Sequence, residues 1–244
     1  MSEPIDFTKD GPTGDDTFDS DIVRRESWPV AGVAELELSV DVGRIEVHLD
    51  RDDEAEVQVE VRHDPAAGGM WGQGISGVLS WIGQATAGPG GEPADLAAEA
   101  VRAAEIIWSE PGRRLIVRSS QDLPLRVVPL VVTVTAPAGS RLAARTGAGD
   151  VVVTGRAGWA AVRTGSGEVD VAAVDGDTDV TTGSGDLVLG EVAGRARLRT
   201  GSGTIRLTAA GGPTEIKAGS GDVALGKVAG DLDVRTGSGS VRVE

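Results

Sequence analysis

Cysteine and tyrosine are both absent from this chain, and its 244 residues include only two histidines, two phenylalanines and five tryptophans. Without cysteine there is no disulfide, no thiolate metal site and no thiol nucleophile. Two histidines leave metal binding and acid–base catalysis little to work with. Aromatics make up 3% of the residues, so a core must be built from valine, leucine, isoleucine and alanine. No apolar run approaches the ~18 uninterrupted residues of a membrane span. The start, Met1-Ser2-Glu3-Pro4-Ile5-Asp6, lacks the basic opening and apolar stretch of a secretory signal, so the cytoplasm is the expected compartment. The formal charge of −15 argues against a nucleic-acid partner and against direct docking on anionic lipid, leaving membrane contact only indirect.

Glycine, by contrast, is abundant at 36 residues, and it is periodic. A Gly-Ser-Gly tripeptide, with Ala148 replacing the serine in the first copy, has its first glycine at Gly147, Gly165, Gly183, Gly201, Gly219 and Gly237. A strict 18-residue period predicts a solenoid in which each repeat is one coil stacked on the last. Within each coil two apolar columns follow the tripeptide: Val151, Val169, Leu187, Ile205, Val223 and Val241, then Val153, Val171, Leu189, Leu207, Leu225 and Val243. A second glycine column (Gly158, Gly176, Gly194, Gly212, Gly230) precedes another apolar one, Val162, Val180, Leu198, Ile216 and Val234. Each coil is therefore two short strands joined by two glycine turns. At ~4.8 Å per layer, six coil starts give a rod of about 25–30 Å. Alternation turns the threonine before most tripeptides inward and a mostly basic column outward (Arg145, Arg163, Thr181, Arg199, Lys217, Arg235).

The predicted fold is all-β: a single-stranded parallel β-helix, or β-solenoid, with a small helical insertion and an acidic tail. Residues 1–27 carry eight acids and three bases and read as a disordered tail. Residues 28–63 read as the first strands of the solenoid, with alternation through Leu36, Leu38, Val40, Val42, Ile45, Val47 and Leu49. Residues 64–113 break that pattern. Trp71, Ile75, Val78, Leu79 and Ile82 fall at helical spacing, and Asp95 to Trp108 reads as a helix with a stripe at Leu96, Ala100, Ala103 and Ile107. Residues 114–244 return to strands, including one over Val127–Val134, with regular repeats from about 142.

The run Arg-Thr-Gly-Ser-Gly-Glu-Val-Asp-Val (163–171) and its copies resemble the bacterial putative-adhesin β-strand-repeat family of unknown function, also called the toast-rack superfamily. The resemblance spans roughly residues 30–244 and is strongest from Leu142. It implies a single-chain β-helix-like stack, and a setting near membrane-stress and envelope-sensing systems, with some relatives surface-exposed. The family has no agreed catalytic residues, so the resemblance carries none to this chain.

Candidate sites follow from the pattern. The insertion tryptophans and their neighbours (Trp71, Ile75, Leu79, Trp81, Trp108) form either a cap over the solenoid end or a surface for a partner. The last coil stops seven residues past Gly237, so Val241, Arg242, Val243 and Glu244 form a candidate assembly edge, covered by the N-terminal segment or by another molecule. Gly-x-Gly-x-Asp is reminiscent of calcium-binding repeats, but calcium needs six to eight oxygens. The acid falls at one corner only and is Thr204 or Ser240 in two coils, so these acids read as solvated turn residues and no metal is expected. Asp175, Asp177 and Asp179 read as an outward acidic edge, and His48 and His63 lie apart from any nucleophile pattern. The inward threonines do not suit an ice-binding face. The expectation is a non-enzymatic, cofactor-free repeat protein that binds another protein, in envelope-stress signalling by the resemblance. The alternative is a homo-oligomer stacking through the last coil into dimers or filaments. A carbohydrate-binding or carbohydrate-acting role ranks below both, since Trp159 is the one aromatic in the repeats.

Overall fold

A computed structural model of the chain describes residues 23–51, 56–65 and 93–244. From residue 141 onward the 18-residue pattern becomes twelve strands: β7 (Arg141–Ala148), β8 (Val151–Ala157), β9 (Trp159–Ser166), β10 (Val169–Val174), β11 (Thr178–Ser184), β12 (Leu187–Val192), β13 (Ala196–Ser202), β14 (Ile205–Ala210), β15 (Thr214–Ser220), β16 (Val223–Val228), β17 (Leu232–Ser238) and β18 (Val241–Val243). Odd strands stack in parallel as one sheet and even strands as a second, so each coil contributes one strand to each face. Like lies over like: Val169 is opposite Leu187, and Leu187 opposite Ile205. These inward side chains are fully buried between the sheets. Parallel strands covered on one face only by their own sister sheet alternate apolar-in and polar-out, as these do.

The Gly-Ser-Gly corner needs its last glycine. Gly185 has φ +141°, and a Cβ there would strike the carbonyl oxygen of Gly167 one coil below. The inward threonines close the same corner. Thr164 Oγ1 donates to the carbonyls of Ser166 (2.9 Å) and Gly149 (3.2 Å), and Thr200 Oγ1 donates to that of Gly185 (3.2 Å).

The N-terminal part folds onto the first regular coil out of chain order. The strand β2 (Glu35–Arg51) supplies a complete layer by itself. Its first half lies in the odd-strand sheet between β5 (Arg114–Arg118) and β7, with Leu38 opposite both Val117 and Ala144. Its second half lies in the even-strand sheet between β6 (Leu130–Pro137) and β8, with Val47 opposite both Val134 and Val153. The switch occurs at Gly43 (φ +124°), where burial passes from even-numbered to odd-numbered residues.

Beyond that layer the sheets end in antiparallel strands. β3 (Glu56–His63) pairs with β6, β1 (Val23–Pro29) with β3, and β4 (Glu105–Ser109) with β5. The helix α1 (Pro93–Ala103) packs over this end against β1, β3 and a 3₁₀ turn at Leu125–Val127.

Several expectations need correction. Residues 23–27 belong to β1 rather than to a disordered tail: Arg24, Glu26 and Trp28 alternate half-buried with exposed Arg25 and Ser27, and the strand finds its partner in β3. The helix expected over Asp95–Trp108 stops at Ala103. Its buried face is Ala98, Ala100 and Val101; beyond buried Ala104, Ile106 and Trp108 alternate inward on β4 while Ile107 is exposed. The strand expected from Val127 starts at Leu130, after the 3₁₀ turn. The tail residues 1–22 and the helical spacing at 71–82 lie outside the described residues.

Candidate interaction surfaces

Trp108 is half-buried on β4 and stacks on Trp28 of β1, with centroids 5.7 Å apart and planes 13° from parallel. One ring comes from each sheet, so the pair bridges the two faces at the N-terminal end, in the manner of a closure. Trp71, Ile75, Leu79 and Trp81 fall outside the described residues.

The residues of the candidate assembly edge lie on the last strand and directly after it. Val241, Arg242 and Val243 form β18, which pairs with β16 through Val223–Val241 and Leu225–Val243, and Glu244 N–H donates to the Leu225 carbonyl at 2.9 Å. Among the described residues no strand or helix lies on the outer side of β17 or β18. Leu232, Val241 and Val243 are consequently 39%, 46% and 53% exposed, whereas their counterparts one coil below are buried. Among the described residues, β1, β3 and α1 sit at the opposite end of the stack, away from this layer.

The turn acids have a structural task. Asp150, Asp186 and Asp222 each accept the backbone N–H eighteen residues ahead, from Glu168 (2.9 Å), Thr204 (2.7 Å) and Ser240 (2.8 Å). The Ser240 hydroxyl also donates to Asp222 (2.9 Å), and these bonds from Ser240 hold the Asp222 carboxyl below its usual range. At the other corner Asp177 accepts from Arg195 N–H (2.9 Å), while Asp175 pairs with Arg156 (2.8 Å). Among the described residues no group of three or more histidine, aspartate or glutamate side chains is placed to hold a metal ion. His48 Nδ1 lies 2.9 Å from Thr154 Oγ1, a cross-strand contact on the even-strand face.

The odd-strand face carries three outward columns. One holds Arg145, Arg163, Thr181, Arg199, Lys217 and Arg235 in register. Its upper members are neutralised. Glu215 gathers Lys217 (2.5 Å), Arg197 and Arg199 (3.6 Å each), and Asp233 holds Arg235 (2.9 Å). The hydrogen bond from Lys217 is the main cause of a lowered Glu215 carboxyl. Lower down, Glu37 is held below its usual range by hydrogen bonds from Arg118 and then Arg114. Arg145 and Arg163 are exposed, directly opposite each other, and have no ion pair among the described residues. Beside them lie the alanines 143 and 161, then Arg141 and Trp159, with the Arg141 guanidinium 5.4 Å from the Trp159 ring centroid. Sequence reasoning missed this grouping. Listing every outward column in the 18-residue register, instead of only the basic and acidic ones, would have exposed it.

Stacked parallel coils, glycine corners and a one-sided cap define a β-solenoid repeat protein. Residues 127–244 match the family model described as Toastrack DUF4097, a stretch that spans β6 and the regular coils. No curated protein matches the sequence. Among solved structures the chain is similar to a "putative adhesin" of Bacteroides fragilis NCTC 9343 (14% identity, 91% of this chain and 97% of that one, TM-score 0.46). It is also similar to a "putative cell adhesion protein" of Clostridium sporogenes ATCC 15579 (10%, 91% and 98%, TM-score 0.32). A third is a "putative lipid binding protein" of Parabacteroides distasonis ATCC 8503 (8%, 92% and 95%, TM-score 0.30).

Proposed function

We propose that the protein is a non-enzymatic scaffold that engages another protein through the β17–β18 layer. The observation that carries this reading is the contrast between the two ends. One is closed by α1, antiparallel strands and the Trp28–Trp108 stack, while the other presents unpaired strand edges with Leu232, Val241 and Val243 exposed. An unpaired edge with apolar side chains is a template for strand addition and a cost in water. Envelope-stress signalling is the setting that the family resemblance suggests. The test uses wild-type protein and the Val241→Lys/Val243→Lys variant as immobilised baits in native extract. Proteins retained by the wild type and lost from the variant support the reading, and identical retained sets defeat it.

The same observation supports a second reading, a homodimer through this edge. Light scattering coupled to size exclusion across a concentration series distinguishes them. A dimer that the same double variant dissociates assigns the edge to a second copy, and a strict monomer removes that reading.

A further inference from the structure

The odd-strand face holds a feature that the end-to-end reading does not use. Arg145 and Arg163 are register neighbours on β7 and β9, so their Cβ atoms stand one strand spacing apart, ~4.8 Å. Like charges directly opposite one another destabilise a sheet. Elsewhere in the same column the structure answers that repulsion with Glu215 or Asp233, but here no carboxylate is within ion-pair distance. Two forked guanidiniums with free donors are a receptor for one carboxylate or phosphate.

Along the two strands, Ala143 and Ala161 come next, with side chains too short to obstruct anything lying on the sheet. Four residues from the arginines, ~13 Å at strand rise, stand Arg141 and Trp159. A surface depression runs beneath Trp159 over Ala143 to Glu35, Glu37 and Arg114. Its polar groups are planar and already oriented by pairing, Arg141 with Glu35 at 3.6 Å and Glu37 with Arg118 at 3.0 Å. Asp179 flanks Ala161 on the other side.

The surface is thus a shallow dish with an indole wall, a flat apolar floor, carboxylates at two borders and an unpaired cationic pair at one end. We propose that it binds an anionic saccharide, a uronic-acid oligosaccharide. One ring lies with its C–H face against Trp159, hydroxyls donate to Glu37 and Asp179, and a neighbouring ring's carboxylate bridges Arg145 and Arg163. The distance from indole to arginines suits two linked pyranoses. A polyanion without hydroxyls fits less well, because the border carboxylates Glu37 and Asp179 would meet no donor from it. The saccharide site is separate from the β17–β18 edge and does not rest on the partner reading.

The experiment is isothermal titration calorimetry of the full chain with trigalacturonate, its fully methyl-esterified form and a tri-glutamate peptide. The expected result is binding of trigalacturonate that weakens as ionic strength rises from about 0.01 M to about 0.15 M. The Arg145→Gln/Arg163→Gln variant should lose the preference for the acid over the ester. Trp159→Ala should weaken both saccharides by about tenfold, a loss of about 1.4 kcal/mol, and Trp159→Phe should retain most of the affinity. All three positions are outward on the sheet, and circular dichroism checks that each variant is folded. No heat with trigalacturonate, unchanged binding in the variants, or equal binding of the peptide would overturn the proposal. The Val241→Lys/Val243→Lys variant should bind trigalacturonate normally, so failure here and failure of the edge reading are read separately.

Discussion

Asp150, Asp186 and Asp222 occur in alternate coils, and each reaches up to a backbone N–H of the coil above. The receiving coils carry Glu168, Thr204 and Ser240 at the equivalent place, so at this corner layers are stitched in pairs. Asp177 ties one such pair to the next at the opposite corner. Replacing Asp186 by alanine leaves the Thr204 N–H to water and should cost about 1 kcal/mol, whereas Asp186→Asn keeps an acceptor and should cost less. Thermal melts followed by circular dichroism measure both. Three carboxyls, Asp222, Glu37 and Glu215, are held below their ordinary values in the folded chain by hydrogen bonds, from Ser240, from Arg118 with Arg114, and from Lys217. A depressed carboxyl stabilises the fold above its unfolded pKa and loses that contribution as pH falls through its folded one. The urea midpoint should therefore hold steady from about pH 7 to about pH 5 and fall below about pH 4. Asp222→Asn should flatten part of that fall, and an unchanged profile would count against the role assigned to Asp222.

Among elements, the terminal strands show most about what holds the stack. Trp28 and Trp108 lie on strands that pair with β3 and β5 respectively, and their stacking is the one aromatic contact across the closed end among the described residues. Aromatic pairs contribute ~0.5–1.5 kcal/mol beyond their buried area. Trp28→Ala should lower the melting temperature and speed hydrogen exchange in β1 and β4, while leaving exchange in β11 to β16 unchanged, since repeat stacks are coupled mainly to nearest neighbours. The regular coils were legible in the sequence because each layer's partner lies 18 residues away and carries the same residue type. The place of β2 was not. Its alternation announced a buried strand, but nothing in Leu36, Leu38 or Val47 tells which strands flank it, and those flanks are separated from it by long stretches of chain. The end of α1 was hidden for a related reason. Ala100, Val101, Ala103 and Ala104 continue smoothly into Ile106 and Ile107, and only the pairing of Trp108 with Leu115 makes the last residues a strand. The Arg145–Arg163 pair was visible as part of a basic column. Its lack of carboxylates was not, because ion pairing depends on which neighbours Glu215 and Glu37 select.

For the molecule as a whole, the two ends are unlike, and that limits how copies can join. Head-to-tail growth needs an open edge at both ends, but the N-terminal end is covered by α1 and antiparallel strands. Association through β17 and β18 is therefore isologous, joining like surfaces about a two-fold axis, and it closes on itself. On the homodimer reading, the assembly is a dimer whose mass does not rise further with concentration. Negative-stain images should show particles of one length, and filaments would contradict the closed end.

The interleaved position of β2 also sets an order of events. A chain leaving the ribosome presents residues 35–51 before either flanking strand exists, and their last neighbour, β8, is complete only when Ala157 has emerged. The later coils each add to a layer synthesised just before them. This strand is thus kept waiting while more than a hundred residues are translated, and a transcript cut short before β7 would release a product with β2 still seeking its second partner.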